Sequence, residues 1–133
     1  MSLDNALQTS METIPECLAA GYIDMTSGML LGVQSSPEQP QDVLESLAAA
    51  TADLFQGRSI SEIEARFSAS RSDGMQDVYF QEIIVFSADF LHLFLRTDSY
   101  PDHVICYVCD QAANPGLVLA KAKMTLGQVA AAV

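Results

Sequence analysis

Two runs, Phe90 to Arg96 and His103 to Cys109, carry apolar side chains on both faces of an extended strand, and nothing else in the chain constrains the fold as tightly. In the first run Phe90, His92 and Phe94 alternate with Leu91, Leu93 and Leu95. In the second, Ile105 and Tyr107 alternate with Val104, Cys106 and Val108. Side chains on a strand point to opposite faces in turn, so a strand that is apolar on both faces needs a covering layer on each. The link Thr97-Asp98-Ser99-Tyr100-Pro101-Asp102 is rich in turn formers. A short turn of this kind pairs its flanking strands antiparallel.

The covering layers are legible on either side of these runs. Leu3, Leu7, Met11 and Ile14 recur at helical spacing, with Ser2 placed to cap and Pro15 to stop. Glu16 to Asp24 reads as a strand, a turn follows through Thr26, Ser27 and Gly28, and Met29 to Gln34 closes a hairpin. The polar breaker Ser35-Ser36-Pro37-Glu38-Gln39-Pro40 starts a helix near Gln41, which Gly57 interrupts. Ser59 with Glu62 forms a capping-box pattern, which predicts a shorter helix over Ile60 to Phe67. After a small-residue loop from Ser68 to Gln76, Asp77 to Ser87 predicts a third strand. Asn114-Pro115 is a helix start, with Asn as cap and Pro at the first helical position, and that helix runs to about Ala132. The expected architecture is an α/β fold of three layers, α/β/α, around a five-stranded antiparallel sheet. The 133 residues form one domain, 1–133.

Charge narrows the function. The net charge is −11, from seventeen acidic residues against six basic ones, and every Lys and Arg lies at or beyond Arg58. Nucleic-acid binding requires cations that displace phosphate counterions, so no nucleic-acid partner is expected. Docking on anionic lipid is disfavoured for the same reason. No apolar run approaches a membrane span and no leader pattern is present, so neither membrane insertion nor secretion is expected and the cytoplasm is the predicted compartment. A basic partner surface suits this chain best.

Several residues could carry chemistry, and each has a plainer role. His103-x-x-Cys106-x-x-Cys109 has metal-like spacing, but on a strand Cys106 faces away from the other two, which stand about 20 Å apart at ~3.3 Å per residue. No metal and no redox Cys-x-x-Cys motif is expected there. Ser87, Asp89 and His92 could be drawn as a triad, yet no nucleophile elbow accompanies them. Glu62 and Glu64 face different ways on a short helix. Gly21, Gly28 and Gly32 match neither a phosphate-binding loop nor a dinucleotide fingerprint. Asp24 and Gly28 most simply shape a turn. The expectation is a protein without catalytic residues or cofactor.

Three stretches resemble the Roadblock/LC7 family. Ala19-Ala20-Gly21-Tyr22-Ile23-Asp24 with Ser27-Gly28-Met29-Leu30-Leu31-Gly32 is similar to the family's first hairpin. Phe86-Ser87-Ala88-Asp89-Phe90-Leu91-His92-Leu93-Phe94 resembles its turn between third and fourth strands. Asp110-Gln111-Ala112-Ala113-Asn114-Pro115-Gly116-Leu117 resembles its entry into the last helix. The segment from Ser59 to Gln76 is longer than the family's usual link. The resemblance implies a profilin-like fold with sheet order 2-1-5-4-3 and the first and last helices on one face. It implies a homodimer through the third strand and central helix, and a scaffold or regulator of small Ras-like GTPases. A relative of the same family is the other partner it suggests.

The residues support part of this on their own. The Asp77–Ser87 run lacks Pro and Lys, the usual guards of a sheet edge, so an edge placement would invite pairing with another copy. The candidate interface is Val78, Tyr79, Phe80, Gln81, Glu82, Ile83, Ile84 and Val85 on that strand. Leu44, Leu47, Ala48, Thr51, Leu54 and Phe55 join it from the central helix, whose apolar stripe is wider than one sheet face needs. Asp42, Glu45 and Asp53 flank that stripe and favour a basic rim on a partner. A profilin-like small-ligand sensor, or a scaffold subunit unrelated to GTPases, is the alternative.

Overall fold

The computed structural model describes residues 2–36, 50–51, 55, 62–63, 65–66, 81–97, 99–100 and 102–133. Helix α1 (Leu3–Thr13) begins where expected, with the Asn5 N–H donating to Ser2 Oγ at 3.2 Å. It stops ahead of Pro15. Glu16, read from sequence as the first strand residue, instead takes φ 58° and turns the chain. Its carbonyl accepts from the Asp110 N–H at 3.0 Å, which ties this turn to the last strand.

Strands β1 (Cys17–Asp24) and β2 (Met29–Ser35) form the predicted hairpin. Asp24 makes the turn: its Oδ1 accepts from the Thr26 N–H and its Oδ2 from the Ser27 hydroxyl, each at 3.1 Å. Gly28 sits at φ 72°, where a side chain would be strained. Strands β3 (Glu82–Phe86), β4 (Phe90–Arg96) and β5 (His103–Asp110) complete the sheet. The described third strand is shorter than predicted at both ends. Residues 77–80 lie outside the described residues, and Ser87 leaves the strand to make the turn into β4. Helix α2 (Pro115–Ala131) starts as expected, its cap Asn114 Oδ1 accepting from the Leu117 N–H at 3.1 Å.

All neighbours are antiparallel and the order is β2-β1-β5-β4-β3. The two faces segregate by parity. Tyr22, Leu91, Leu93, Leu95, Ile105 and Tyr107 are fully buried beneath α1 and α2, which contribute Leu7, Val118, Ala122 and Val129. On the reverse face Ile23, Phe94, Val104 and Cys106 pack with Phe55, one of the described helical residues between β2 and β3. The layers are therefore helix, sheet, helix. Each such side chain contributes about 1.5–3 kcal/mol by leaving water, so the central strands anchor the fold.

The central helix and the shorter one predicted over Ile60 to Phe67 lie largely outside the described residues; Ala50, Thr51, Phe55, Glu62, Ile63, Ala65 and Arg66 are helical where described.

Candidate interaction surface

The order places β3 at one end of the sheet, paired on one side with β4. Two bonds fix which of its backbone groups are taken. The Arg96 N–H donates to the Gln81 carbonyl and the Ser87 N–H to the Phe90 carbonyl, both at 2.9 Å. Antiparallel ladders alternate, so 81, 83, 85 and 87 direct their groups toward β4. The N–H and C=O of Glu82, Ile84 and Phe86 consequently point away from the sheet. Among the described residues no strand pairs with that edge.

The side chains suit an edge that receives a partner. Ile84 packs on the core beneath α1 and α2, and Ile83 on the core around Phe55, so the strand is pinned on both faces. Beyond them Val85 and Phe86 reach solvent, with 39% and 62% of their surface exposed. The register runs without a bulge from Glu82↔Leu95 to Phe86↔Leu91. Glu82 forms an ion pair with Lys123 of α2, which keeps that carboxylate beside the edge.

Of the other predicted interface residues, Gln81 is exposed and precedes β3. Thr51 and Phe55 are fully buried, so they belong to the side of the helix that meets the sheet. Leu44, Leu47, Ala48, Leu54, Val78, Tyr79 and Phe80 lie outside the described residues. Sequence reasoning missed Arg96, which holds Phe55 in place. Its guanidinium donates to the Phe55 carbonyl at 3.2 Å and lies 5.0 Å above the Phe55 ring. A cation at the end of an apolar strand was the available signal. Its partner, 41 residues away, was not visible.

His92 Nε2 lies 3.3 Å from Ser87 Oγ, but that hydroxyl also donates to the Phe90 carbonyl and accepts from the Phe90 N–H. Among the described residues the buried His92 Nδ1 has no hydrogen-bond partner, so none of their carboxylates orients the ring as a triad requires. Burial lowers the His92 pKa. His103 Nδ1 shares a 2.9 Å hydrogen bond with the Tyr22 hydroxyl, and its ring stacks on Tyr100. Cys106 faces the Phe55 side while Cys109 lies in the opposite core. Burial pushes the Cys106 thiol up to about 12. Among the described residues no three His, Cys, Asp or Glu side chains gather around one point.

Two concavities border the sheet. A hollow of about 10 Å³, lined by Ala19, Gly21, Ile23, Leu30, Cys106 and Val108, has room for roughly one water and offers almost no polar surface. A cleft of about 370 Å³ lies among Gln81, Glu82, Leu95, Arg96, Lys123 and Leu126, beside the β3 edge. Its charged groups are already engaged, Lys123 with Glu82 and Arg96 with Phe55. Among the described residues, no helix is long and apolar enough to cross a membrane.

No family model matches the sequence, and no curated protein matches it. Solved structures match its fold. An MglB structure with a tetrameric arrangement superposes with TM-score 0.74 at 16% identity, covering 98% of this chain and 86% of that one. A Roadblock/LC7 domain from Streptomyces avermitilis gives TM-score 0.70 at 14% identity, covering 98% and 97%. Profilin II from Acanthamoeba castellanii is more distant, with TM-score 0.52 at 12% identity and 96% of each chain covered. The chain thus has the profilin-like fold of Roadblock/LC7 domains, as the sequence motifs implied.

Proposed function

We propose that this chain is a non-catalytic interaction module that pairs with a second copy through the β3 edge, and that the dimer acts as a scaffold or regulator for a small Ras-like GTPase. The observation that carries the reading is the outward row of backbone groups on Glu82, Ile84 and Phe86, in a strand with exposed Val85 and Phe86. A two-fold axis through Ile84 would let each Ile84 exchange both backbone bonds with its counterpart. Glu82 would then stand opposite Phe86, which keeps the two Glu82 carboxylates apart. The central-helix residues Leu44, Leu47, Ala48 and Leu54 would extend this contact, while Thr51 and Phe55 would support it from beneath.

The fold lends support, since Roadblock/LC7 domains share it and MglB occurs in a tetrameric arrangement. The GTPase is the partner class that the resemblance to the Roadblock/LC7 family implies. A net charge of −11 would steer the dimer toward a basic face on that partner and supports a cytoplasmic, protein-binding role. The apolar hollow is too small for a ligand, and the cleft of about 370 Å³, though of ligand size, has Lys123 engaged with Glu82 and Arg96 with Phe55, which favours protein binding over a small-ligand sensor.

Light scattering on the purified chain should return twice the 14.3 kDa of one copy. Pull-downs from native lysate with GDP or a GTP analogue should then recover a GTPase in a nucleotide-dependent manner. A stable monomer would refute the edge pairing. A co-purified metabolite without any GTPase would replace the regulator reading with that of a sensor.

A further inference from the structure

Cys17 and Cys109 are far apart in sequence, but β1 and β5 place them directly opposite each other. Their neighbours define the geometry of the pair. The Asp110 N–H donates to the Glu16 carbonyl at 3.0 Å, and these are the residues immediately outside the cysteine pair. On that side the bond marks Cys17–Cys109 as a non-hydrogen-bonded pair, a type whose Cα atoms approach to about 4.5 Å with side chains drawn together, and on the other side the register shifts by one residue between Cys17 and Ala19. A disulfide spans Cα separations of roughly 4.4–6.8 Å. The two thiols therefore sit where a bond could close with little movement of the backbone.

Both side chains belong to the core beneath α1 and α2, whereas Cys106 lies on the other face of the sheet. Cys109 is fully buried and Cys17 half-buried at the start of β1, so a reagent in solution meets Cys17 first. Each sulfur alters the other's titration. Shared hydrogen bonding holds the proton on Cys17, whose pKa is raised, and lowers that of Cys109.

From this register we infer that Cys17 and Cys109 form a thiol–disulfide site, closing to an intrachain cross-strand bond by exchange with a small-molecule disulfide such as oxidised glutathione. Cys17, the sulfur a reagent can reach, gives up its proton as it attacks one sulfur of the glutathione disulfide, and the other half takes that proton and leaves as a thiol. The Cys109 thiolate then attacks the Cys17 sulfur, displacing the second glutathione as thiolate, which takes up the proton Cys109 had lost. The two protein thiols are oxidised and one disulfide is reduced to two glutathione thiols, so electrons and protons balance. The product joins the turn that follows α1 to the end of β5 that leads into α2.

The test is to equilibrate the folded, full-length chain in glutathione buffers of graded ratio, block residual thiols, and map the linkages by mass spectrometry. The expected product is a chain lighter by two hydrogens and not covalently linked to another, with Cys17 joined to Cys109 and Cys106 free. Cys106→Ala should keep that bond and Cys17→Ser should lose it. Because the closed loop is long, the oxidised form should melt about 10 °C higher, and reduction should reverse the rise. Free thiols at both positions across the whole range would overturn the proposal, as would a linkage through Cys106 or between chains. An oxidised form that melts lower would also overturn it, since the bond would then have formed only in a distorted chain.

Discussion

The two ends of the sheet solve the same problem in opposite ways. Both β2 and β3 pair with a single neighbour among the described residues, so each presents a row of backbone groups. On β2 the register slips between Tyr22 and Ile23, where Leu31 is the extra residue, and α1 leans across Gly32 through Leu3 and Leu7. A bulge bends and twists an edge, and an overlying helix limits access to it. Among the described residues β3 has neither device over Glu82 to Phe86, and its pairing with β4 is regular. Exposed apolar surface does not separate the two ends, because Met29 and Leu31 on β2 are 62% and 45% exposed. The difference lies in backbone regularity.

The largest effect should come from a proline placed on an outward N–H. Ile84→Pro removes such a group from β3, and the proposed two-fold axis through that residue would double the loss. The proposed dimer should then weaken on the order of 100-fold from the two missing bonds. Sedimentation over a concentration series measures this, with circular dichroism to verify that the sheet persists. Ser35→Pro is the matching change on β2, since the Ser36 N–H bond to Leu18 places the Ser35 groups outward. It should leave the mass unchanged. If Ser35→Pro rather than Ile84→Pro yields the monomer, the two edges have been assigned the wrong way round.

Next in size is Arg96→Met. This cation anchors Phe55 over the face that Ile83 of β3 shares. Removing the charge-assisted bond and the cation–π contact should cost about 2–3 kcal/mol in urea unfolding. A cost near zero would show that Phe55 holds that face by packing alone. Gly32→Ala probes the other end. A Cβ there would stand 2.7 Å from Leu3 Cδ2 and 3.2 Å from Leu7 Cδ1, so the Leu3 side chain, or α1 with it, must give way. A loss of about 1–2 kcal/mol is expected, together with faster hydrogen exchange in β2. If β2 also became adhesive, the helix would be shown to guard that edge.

What could be read from sequence followed from local chemistry. Ser2 and Asn114 announce their helices because a cap acts within three residues, and Asp24 with Gly28 announces a turn for the same reason. The doubly apolar runs marked β4 and β5 because burial on both faces leaves its trace in composition. Glu16 was misread as strand because nothing in a glutamate signals a left-handed φ. Spacing along the chain draws attention to Cys106 and Cys109, whereas the pair that meets is Cys17 with Cys109. That contact depends on β1 lying beside β5, a matter of topology. Likewise the stripe containing Thr51 and Phe55 was legible as apolar, but its division between core and surface required the sheet beneath it.

The smallest effect sharpens the comparison most finely, because it reaches β3 through its neighbour. His92 on β4 stands opposite Val85 in the register, with Nδ1 buried and unbonded, Nε2 near Ser87 and the Phe90 ring edge-on at 6.2 Å. Burial lowers its pKa below 6.5, so the folded chain resists a proton that the unfolded chain accepts. Stability is then flat above pH 6.5 and falls as the pH drops from that value through the lower pKa of the folded state. Measuring unfolding free energy against pH for the wild type and His92→Phe isolates the slope, since the two differ only at that side chain. The wild type should lose stability over this window relative to the variant. Amide exchange in acid should speed up in Ile83 and Val85, whose backbone bonds run to β4, before it does in β2. Equal acceleration at the two ends would mean that His92 reports on the whole sheet and not on the open edge.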